Sequence, residues 1–248
     1  MPRLRVVQSL SAGVDWLLPR TPPGVTVCRA VGVHDGPVSE WILAAILAMQ
    51  RRFPEYVESQ RQGKWDRSPA DKSPSDDLEG KTVLVVGHGS IGRTLADRLA
   101  PFRVRVIGVA QHPREDAQPT SALPELLPQA DVVVNLLPLS PATAKFVDRA
   151  FLEQMKPGTL FVNAGRGKTV DTEALLGALR AGHIRAALDV TDPEPLPDGH
   201  PLWHAPNVLI TPHIAGAARR WISRGYRFAG EQIRRYAAGQ PLLGVETE

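Results

Sequence analysis

Three glycines at a fixed spacing follow a short apolar run and point to phosphate chemistry. In the stretch VLVVGHGSIGR (83–93), Gly87, Gly89 and Gly92 form the pattern G-x-G-x-x-G. Where this pattern joins a strand to a helix, the first glycine allows a tight turn, the second lets the backbone approach a pyrophosphate, and the third lets helix and strand pack closely. The amides and dipole of the helix N-terminus then face the anion. The stretch predicts a dinucleotide-binding turn; the alternative is a plain corner between a strand and a helix.

The residues after the next apolar run bear on which dinucleotide is bound. In the NAD-binding form of this motif, an Asp or Glu about 20 residues further on binds the ribose 2′-hydroxyl. Here that place holds Ala110, and no acidic residue occurs before Glu115. Without the carboxylate a 2′-phosphate meets no repulsion, and Gln111, His112 and Arg114 could donate hydrogen bonds to it. We therefore expect NADP to be preferred; the alternative is NAD bound without this anchor, with Arg114 as a solvated surface charge.

Polar side chains also follow three later apolar runs. Arg166 stands in NAGRG, Glu194 in the proline-rich loop TDPEPLP, and His213 in TPHIAG. Because open α/β sheets bind ligands beyond the carboxyl ends of their strands, all three would face one crevice. An arginine fork suits a carboxylate or a polarised carbonyl, and histidine suits proton transfer near neutral pH, with a neighbouring carboxylate to stabilise the imidazolium. Each residue alone could be structural, but together they indicate acid–base chemistry.

Six short apolar runs from Lys81 onward must position these side chains. They are TVLVVG, VRVIGV, DVVVNLL, TLFVNA, RAALDV and NVLI. Helical patterns lie between most of them, including TEALLGALRAG, which Gly182 would close as a C-cap. Strands that alternate with helices indicate a parallel sheet covered on both faces. The expected fold class is α/β, with a Rossmann-type doubly wound parallel sheet.

Two long helices are expected outside this sheet. The stretch EWILAAILAMQRRF after Ser39 is apolar nearly all the way round, so it needs burial between domains or at a subunit interface. Pro54 would bend or end this helix. Residues 66–77 are rich in Ser, Pro and Asp, as is typical of an exposed linker. A last helix over about 217–238 would pack on the N-terminal part.

Composition argues against several classes of protein. The chain has 248 residues, of which 43% are hydrophobic and 22% charged, as in globular proteins of one large or two modest domains. Its net charge of +3 comes from scattered arginines, so we expect no nucleic-acid partner. The single cysteine, Cys28, cannot form an internal disulfide or a metal cluster and favours a reducing, cytoplasmic setting. No apolar run reaches the roughly 18 residues of a membrane span, and the N-terminus lacks the apolar core of a signal peptide, so we expect no membrane partner. Because one cysteine cannot form a metal cluster, we also expect no metal.

Taken together, these stretches resemble the D-isomer-specific 2-hydroxyacid dehydrogenases, which include glyoxylate/hydroxypyruvate reductases and phosphoglycerate dehydrogenases. The matching segments span nearly the whole chain in the family's order: SLSAGVD (9–15), VSEWILAAILAMQRR, Trp65, GKTVLVVGHGSIG, NLLPLSPAT (135–143), NAGRG, ALDVTDPEPLP and TPHIAG. The resemblance implies an oxidoreductase that transfers a hydride between NAD or NADP and a small 2-oxo or D-2-hydroxy acid. We also expect a homodimer built on the helix after Ser39.

The resemblance further implies roles for single residues. Arg166 would orient the carboxylate and carbonyl of the substrate. His213, paired with Glu194, would be the general acid that protonates the carbonyl oxygen, and Asp189 would hold the nicotinamide carboxamide. Residues whose backbone amides would meet the substrate carboxylate are Ser11, Ala12 and Gly13. Residues implied for cofactor binding are Gly87, Gly89, Ser90, Ile91, Gly92, Gln111, Arg114, Leu137, Pro138, Thr143, Ala164, Gly165, Arg166, Asp189, His213, Ala215 and Gly216.

The family pattern also predicts how the chain divides. Residues 1–36 and 217–248 would form a smaller, discontinuous, flavodoxin-like substrate domain, and residues 37–216 the NAD(P)-binding Rossmann domain. Family members have several strand and helix units before the SAGVD segment, so we expect a truncated substrate domain with an exposed strand edge. Two other hypotheses stay open: a nucleotide-binding sensor or co-regulator of the same fold without useful turnover, and an enzyme of a related nicotinamide family with other substrates.

Overall fold

Strands in two separate sheets organise the computed structural model, which describes residues 3–72, 76–111 and 114–246. The strands are β1 Val6–Gln8, β2 Thr26–Cys28, β3 Thr82–Val86, β4 Arg105–Ala110, β5 Gln118–Pro119, β6 Val132–Asn135, β7 Leu160–Asn163, β8 Arg185–Leu188, β9 Val208–Ile210 and β10 Val245–Glu246. The α-helices are α1 Asp35–Gln50, α2 Phe53–Arg61, α3 Ser68–Lys72, α4 Ser90–Leu99, α5 Leu123–Leu126, α6 Arg149–Glu153, α7 Thr172–Arg180 and α8 Trp221–Ala237.

Contacts within the chain divide it into two units. The larger unit is Ser39–Ala215, and the smaller combines the residues up to Val38 with those from Gly216 onward. The larger unit contains a seven-stranded sheet in the order β5-β4-β3-β6-β7-β8-β9. All its neighbouring strands pair in parallel, so their carboxyl ends lie at one edge. The predicted doubly wound sheet is confirmed, and all six apolar runs form strands.

Burial on both faces explains why these runs are apolar at every position. Val83–Val86 of β3 are fully buried, and so are Val132–Val134 of β6 and Leu160–Val162 of β7. A parallel sheet covered by helices on both sides requires this pattern. The helix α7 illustrates the covering layer: Asp171 caps its N-terminus by accepting from the amides of Glu173 and Ala174. Gly182, with a φ of +67°, follows its end, as predicted for a C-cap glycine.

The first long helix differs from its prediction at both ends. α1 begins at Asp35, so Ser39 lies inside the helix and is fully buried. It ends at Gln50, before the left-handed residue Arg52, which has a φ of +57°. The expectation that Pro54 would bend or end this helix is wrong, because Pro54 lies in the first turn of α2, where its missing N–H costs no hydrogen bond. The expected linker 66–77 contains the short helix α3.

The smaller unit has a three-stranded sheet in the order β1-β2-β10, with β1 parallel and β10 antiparallel to β2. Its helix α8 begins at Trp221, four residues later than expected. The buried Gln232 side chain joins α8 to both edges of this unit, since its Nε2 donates to Gln8 Oε1 and to the Leu243 carbonyl, both at 2.8 Å. Cys28 in β2 is buried, and burial raises the pKa of its thiol.

Across residues 3–72, 76–111 and 114–246, no helix combines the length and the apolar character that crossing a membrane requires. In the same residues, no group of three or more His, Cys, Asp or Glu side chains is arranged to hold a metal ion.

A prediction about stability follows from the contact between two loops at the carboxyl edge of the sheet. A Cβ on Gly167 would lie 1.8 Å from the carbonyl oxygen and 2.2 Å from the carbonyl carbon of Thr191. We expect Gly167→Ala to force the two loops apart and to lower the melting temperature by about 5–10 °C. Differential scanning calorimetry measures this shift.

The control is Gly177→Ala, since Gly177 lies within α7 and a Cβ there meets no described atom within 4 Å. Alanine is the better helix former by roughly 1 kcal/mol, so this variant should melt at the same or a higher temperature. Equal melting temperatures for both variants would show that the loop contact is not as tight as described.

Candidate functional site

The first and third glycines of the turn after β3 are required by the packing of the chain itself. A Cβ on Gly87 would lie 2.7 Å from the Leu136 carbonyl carbon, and Gly87 has a φ of +92°. A Cβ on Gly92 would lie 2.9 Å from His88 Nδ1 and 3.1 Å from Val85 Cγ1. The third glycine thus allows α4 to approach β3 closely, as the motif predicts.

For the second glycine, Gly89, packing against the described residues does not require the absence of a side chain. The nearest atom to a Cβ on Gly89 would be the Gly87 carbonyl oxygen at 4.0 Å, an ordinary contact distance among the described residues. Gly89 is also the N-cap of α4, and no described side chain caps this end of the helix. A bare backbone at the positive end of a helix dipole suits an anion that approaches closely. The turn therefore fits the pyrophosphate of a dinucleotide.

Backbone packing joins this turn to the two neighbouring loops. The Leu136–Leu137 peptide follows β6 and lies between two glycines. Gly87 approaches it from one side; on the other, a Cβ on Gly165 would lie 2.8 Å from the Leu137 carbonyl oxygen. The same loop is closed by Thr143, whose Oγ1 donates to the Pro138 carbonyl at 2.6 Å. The predicted residues Leu137, Pro138, Thr143, Ala164 and Gly165 thus lie in two adjoining loops.

A buried polar network supports Arg166 after β7. The side chain of Asn135 donates to Asn163 Oδ1 at 3.1 Å and to Thr169 Oγ1 at 2.8 Å. Thr169 Oγ1 donates in turn to the Arg166 carbonyl at 2.6 Å, and Asn163 Oδ1 accepts from the Gly165 amide. Sequence reasoning missed these residues, although polar residues at the ends of otherwise apolar runs were a visible signal. The network fixes the backbone of Arg166, whose half-buried guanidinium donates to the Gly165 carbonyl at 2.8 Å.

His213 and Glu194 come together as the sequence predicts. His213 Nδ1 lies 2.6 Å from Glu194 Oε1, and the two side chains are 48% and 40% exposed. Because Nδ1 faces the carboxylate, Nε2 is the ring nitrogen left for another partner. The Glu194 loop is fixed by Thr172, whose Oγ1 donates to the Asp192 carbonyl at 2.7 Å, and by a bond from Thr191 Oγ1 to the Pro193 carbonyl at 2.9 Å.

Asp189, directly after β8, holds the turn that contains His213. The residue is only 3% exposed. Its Oδ1 accepts from Thr211 Oγ1 at 2.6 Å and from the Ile214 amide at 2.9 Å, and its Oδ2 accepts from the Ala215 amide at 2.8 Å. The His213 amide donates to the Asp189 carbonyl at 2.7 Å, and His213 has a φ of +53°. A left-handed histidine is sterically unfavourable, so these bonds are needed to hold it. The sequence did not predict this positioning role.

Several other predicted residues come after β4 in the chain or belong to the smaller unit. Gln111 is exposed after β4, and His112 lies outside the described residues. Ser11, Ala12 and Gly13 follow β1 in the smaller unit, where the Ser11 carbonyl accepts from the Ala30 amide at 2.9 Å. Gly216 also belongs to the smaller unit, and its carbonyl oxygen lies 3.4 Å from His34 Nδ1.

Comparison with known proteins places this site in context. A family model described as D-isomer specific 2-hydroxyacid dehydrogenase, NAD binding domain, matches residues 43–215. The chain is 37% identical to a glyoxylate reductase of Thermofilum pendens, covering 87% of this chain and 67% of the relative. It is 34% identical to the human glyoxylate reductase/hydroxypyruvate reductase, covering 96% of this chain and 76% of that protein.

A solved structure of a reductase also resembles this chain in its fold. It is an NADPH-dependent glyoxylate/hydroxypyruvate reductase from Sinorhizobium meliloti in complex with NADP and sulfate. The match has a TM-score of 0.87 at 30% identity and covers 99% of this chain and 79% of that chain.

The contacts of Asp189 lead to a second prediction. In Asp189→Asn one carboxylate oxygen becomes an NH₂ group that cannot accept a hydrogen bond, so at least one buried donor loses its partner at a cost of about 1–3 kcal/mol. We expect a melting temperature several degrees lower, and faster hydrogen exchange at the Ile214 and Ala215 amides, measured by mass spectrometry.

Asp198→Asn is the matched control, because Asp198 is exposed in the same unit. It should leave both quantities unchanged. Unchanged exchange at Ile214 and Ala215 in Asp189→Asn would contradict the positioning role of Asp189.

Proposed function

Because the chain belongs to the D-isomer specific 2-hydroxyacid dehydrogenase family, we propose that it is an NAD(P)-dependent oxidoreductase that interconverts a small 2-oxo acid and the corresponding D-2-hydroxy acid. The observation that supports this most is the His213–Glu194 pair, 2.6 Å apart, in the unit that contains the glycine turn. Glyoxylate and hydroxypyruvate are the proposed substrates, since the relatives described above are named for them.

The residues proposed to hold the cofactor are those whose backbone can approach an anion. Gly89 and the first amides of α4 would lie against the pyrophosphate, and Gly87 would form the tight turn that places them. The loops of Leu137–Thr143 and Ala164–Gly165 would line the path toward the nicotinamide. When bound, the nicotinamide supplies or accepts a hydride. The chain itself contributes orientation, a proton and charge stabilisation.

Two side chains would act on the substrate. The Arg166 guanidinium, whose backbone the Asn135–Thr169 network fixes, would hold the substrate carboxylate and polarise the adjacent carbonyl. His213 would donate the proton from Nε2 to the carbonyl oxygen during reduction and take it back during oxidation. Glu194, at Nδ1, would stabilise the imidazolium and keep the ring oriented. Asp189 would contribute by holding the His213 turn, in addition to the proposed bond to the nicotinamide carboxamide.

We also propose a homodimer. α1 buries Ile42 and Ile46 within its own chain, but Phe53 and Val57 on α2 are 56% and 44% exposed, and Trp65 is 97% exposed. Contact with a second copy would remove these apolar side chains from water.

The buried, unpaired thiol of Cys28 is compatible with the cytoplasmic setting proposed from the sequence.

The proposal predicts a separation of chemistry from binding at His213. With NADPH and glyoxylate or hydroxypyruvate, His213→Ala should lower kcat by at least about 100-fold, because general acid catalysis is lost. The dissociation constant for NADPH should stay within about twofold, since the pyrophosphate site is unchanged. Loss of absorbance of the reduced nicotinamide measures turnover, and fluorescence titration measures binding.

His204→Ala is the control, because His204 is an exposed histidine of the same unit. It should keep full activity. Equal loss of turnover and of NADPH binding in His213→Ala would undermine the assigned role. A wild-type chain that binds NADPH but turns over none of these substrates would favour the sensor hypothesis.

NADP preference, proposed from the missing acid at Ala110, gives another prediction. Arg114→Ala should weaken NADPH binding by about tenfold and NADH binding by less than twofold, since only NADPH has a 2′-phosphate for the guanidinium. Arg105→Ala, at the opposite end of β4, is the control and should change neither. Equal effects of Arg114→Ala on the two cofactors would contradict the preference.

A further inference from the structure

A cluster of charged side chains lies beside the glycine turn. One carboxylate, Asp116, faces two arginines and a histidine: Asp116 Oδ2 lies 3.8 Å from Arg93 Nη1 and 3.7 Å from His88 Nε2, and Oδ1 lies 3.4 Å from Arg114 Nε. Arg93 is on α4, and Arg114 and Asp116 are in the loop after β4. We call these four residues the Asp116 cluster.

The position of the cluster matches the place where the adenosine ribose of a dinucleotide is recognised. In folds of this kind the ribose 2′ position is read at the end of the strand that follows the glycine turn, which is β4 here. Arg114 is also tied to the turn itself, because its Nη2 donates to the His88 carbonyl. Arg93 follows directly after Gly92, the last glycine of the motif.

The cluster has more positive than negative charge. Two guanidinium groups face the one Asp116 carboxylate. The imidazole of His88 is 5% exposed, and burial lowers its pKa; Asp116 acts in the opposite direction, while Arg93 and Arg114 lower the pKa further. His88 therefore adds little positive charge at neutral pH. The excess charge of the cluster resides on Arg93 and Arg114.

The existing ion pairs are weak enough to be exchanged. Their nitrogen–oxygen distances of 3.4 and 3.8 Å are long, and the side chains of Arg93, Arg114 and Asp116 are 50%, 43% and 42% exposed. Exposed pairs of this kind contribute little to stability. A phosphate has about twice the charge of a carboxylate and three acceptor oxygens, so it is the stronger partner for two arginine forks.

Ala110 leaves the end of β4 without an acid, but Asp116 is a carboxylate close by; it moderates the proposed preference for NADP without reversing it, because two guanidinium groups face this one carboxylate. A carboxylate that stays close to a bound 2′-phosphate repels it, whereas the uncharged 2′-hydroxyl of NAD experiences no comparable repulsion. The carboxylate also keeps two arginines from facing each other uncompensated when no cofactor is bound.

We propose that Arg93 and Arg114 together bind the 2′-phosphate of NADP, and that Asp116 is the internal anion which this phosphate displaces and which limits NADP affinity. The inference rests on the proposed nucleotide-binding function and goes beyond it by assigning Arg93 and Asp116 to cofactor selection. Asp116 is a specificity-determining residue whose removal strengthens binding of one cofactor only.

The test is titration of the full chain with NADPH and with NADH, for wild type and three variants. Asp116→Asn keeps the shape of the side chain and removes its charge, so the dissociation constant for NADPH should fall about three- to tenfold and that for NADH should change less than twofold. Arg93→Gln should weaken NADPH binding several-fold and leave NADH binding unchanged. Arg98→Gln is the control on the same helix, because Arg98 pairs with Glu40 at 3.0 Å, and it should change neither constant.

The outcomes separate this inference from the function on which it rests. If wild type binds neither cofactor, the proposed function fails and the inference fails with it. If wild type binds cofactor but Asp116→Asn weakens NADPH or shifts both constants equally, the inference alone is overturned. An Arg93→Gln variant that binds NADPH as well as wild type does would also overturn it.

Discussion

Close packing of backbone against backbone at the carboxyl edge of the seven-stranded sheet is the constraint on which the rest of the site depends. The Leu136–Leu137 peptide lies between Gly87 and Gly165, and the Thr191 backbone lies against Gly167. No side chain larger than hydrogen fits at these three glycines without moving a neighbouring loop. The loops after β3, β6, β7 and β8 therefore have fixed places, and Gly89, Arg166, Asp189 and Glu194 lie on them.

Polar contacts then convert these fixed loops into an oriented site. A buried network of Asn135, Asn163 and Thr169 holds the backbone of Arg166. Asp189 holds His213, which has a left-handed backbone, opposite Glu194. Buried polar groups are unfavourable unless their hydrogen bonds are made, so these networks allow few alternative arrangements. The side chains proposed for chemistry stay half exposed, while their supports are buried, which suits a site that must admit a substrate and keep its geometry.

The sequence was informative where one residue type serves one purpose. Glycine spacing and apolar runs predicted the sheet, the turn and the strand ends after which Arg166, Asp189 and His213 lie. Less could be predicted where several residue types would serve. The start of α1 at Asp35, the break at Arg52 and the place of Pro54 in α2 depend on tertiary packing. The second use of Asp189 and the approach of Arg93 to Asp116 join residues more than 20 positions apart in sequence, and no local pattern shows such contacts.

We propose that this site reduces a 2-oxo acid directly with a nicotinamide cofactor. The most direct measurement is the fate of deuterium when the purified chain is mixed with glyoxylate or hydroxypyruvate and NADPH that carries deuterium at both positions of the reactive carbon of the nicotinamide. Direct hydride transfer at this site gives a 2-hydroxy acid with deuterium on the carbon that bears the new hydroxyl, while the hydroxyl proton comes from water through His213. A product without that deuterium, or no product while the nucleotide is bound, would contradict it.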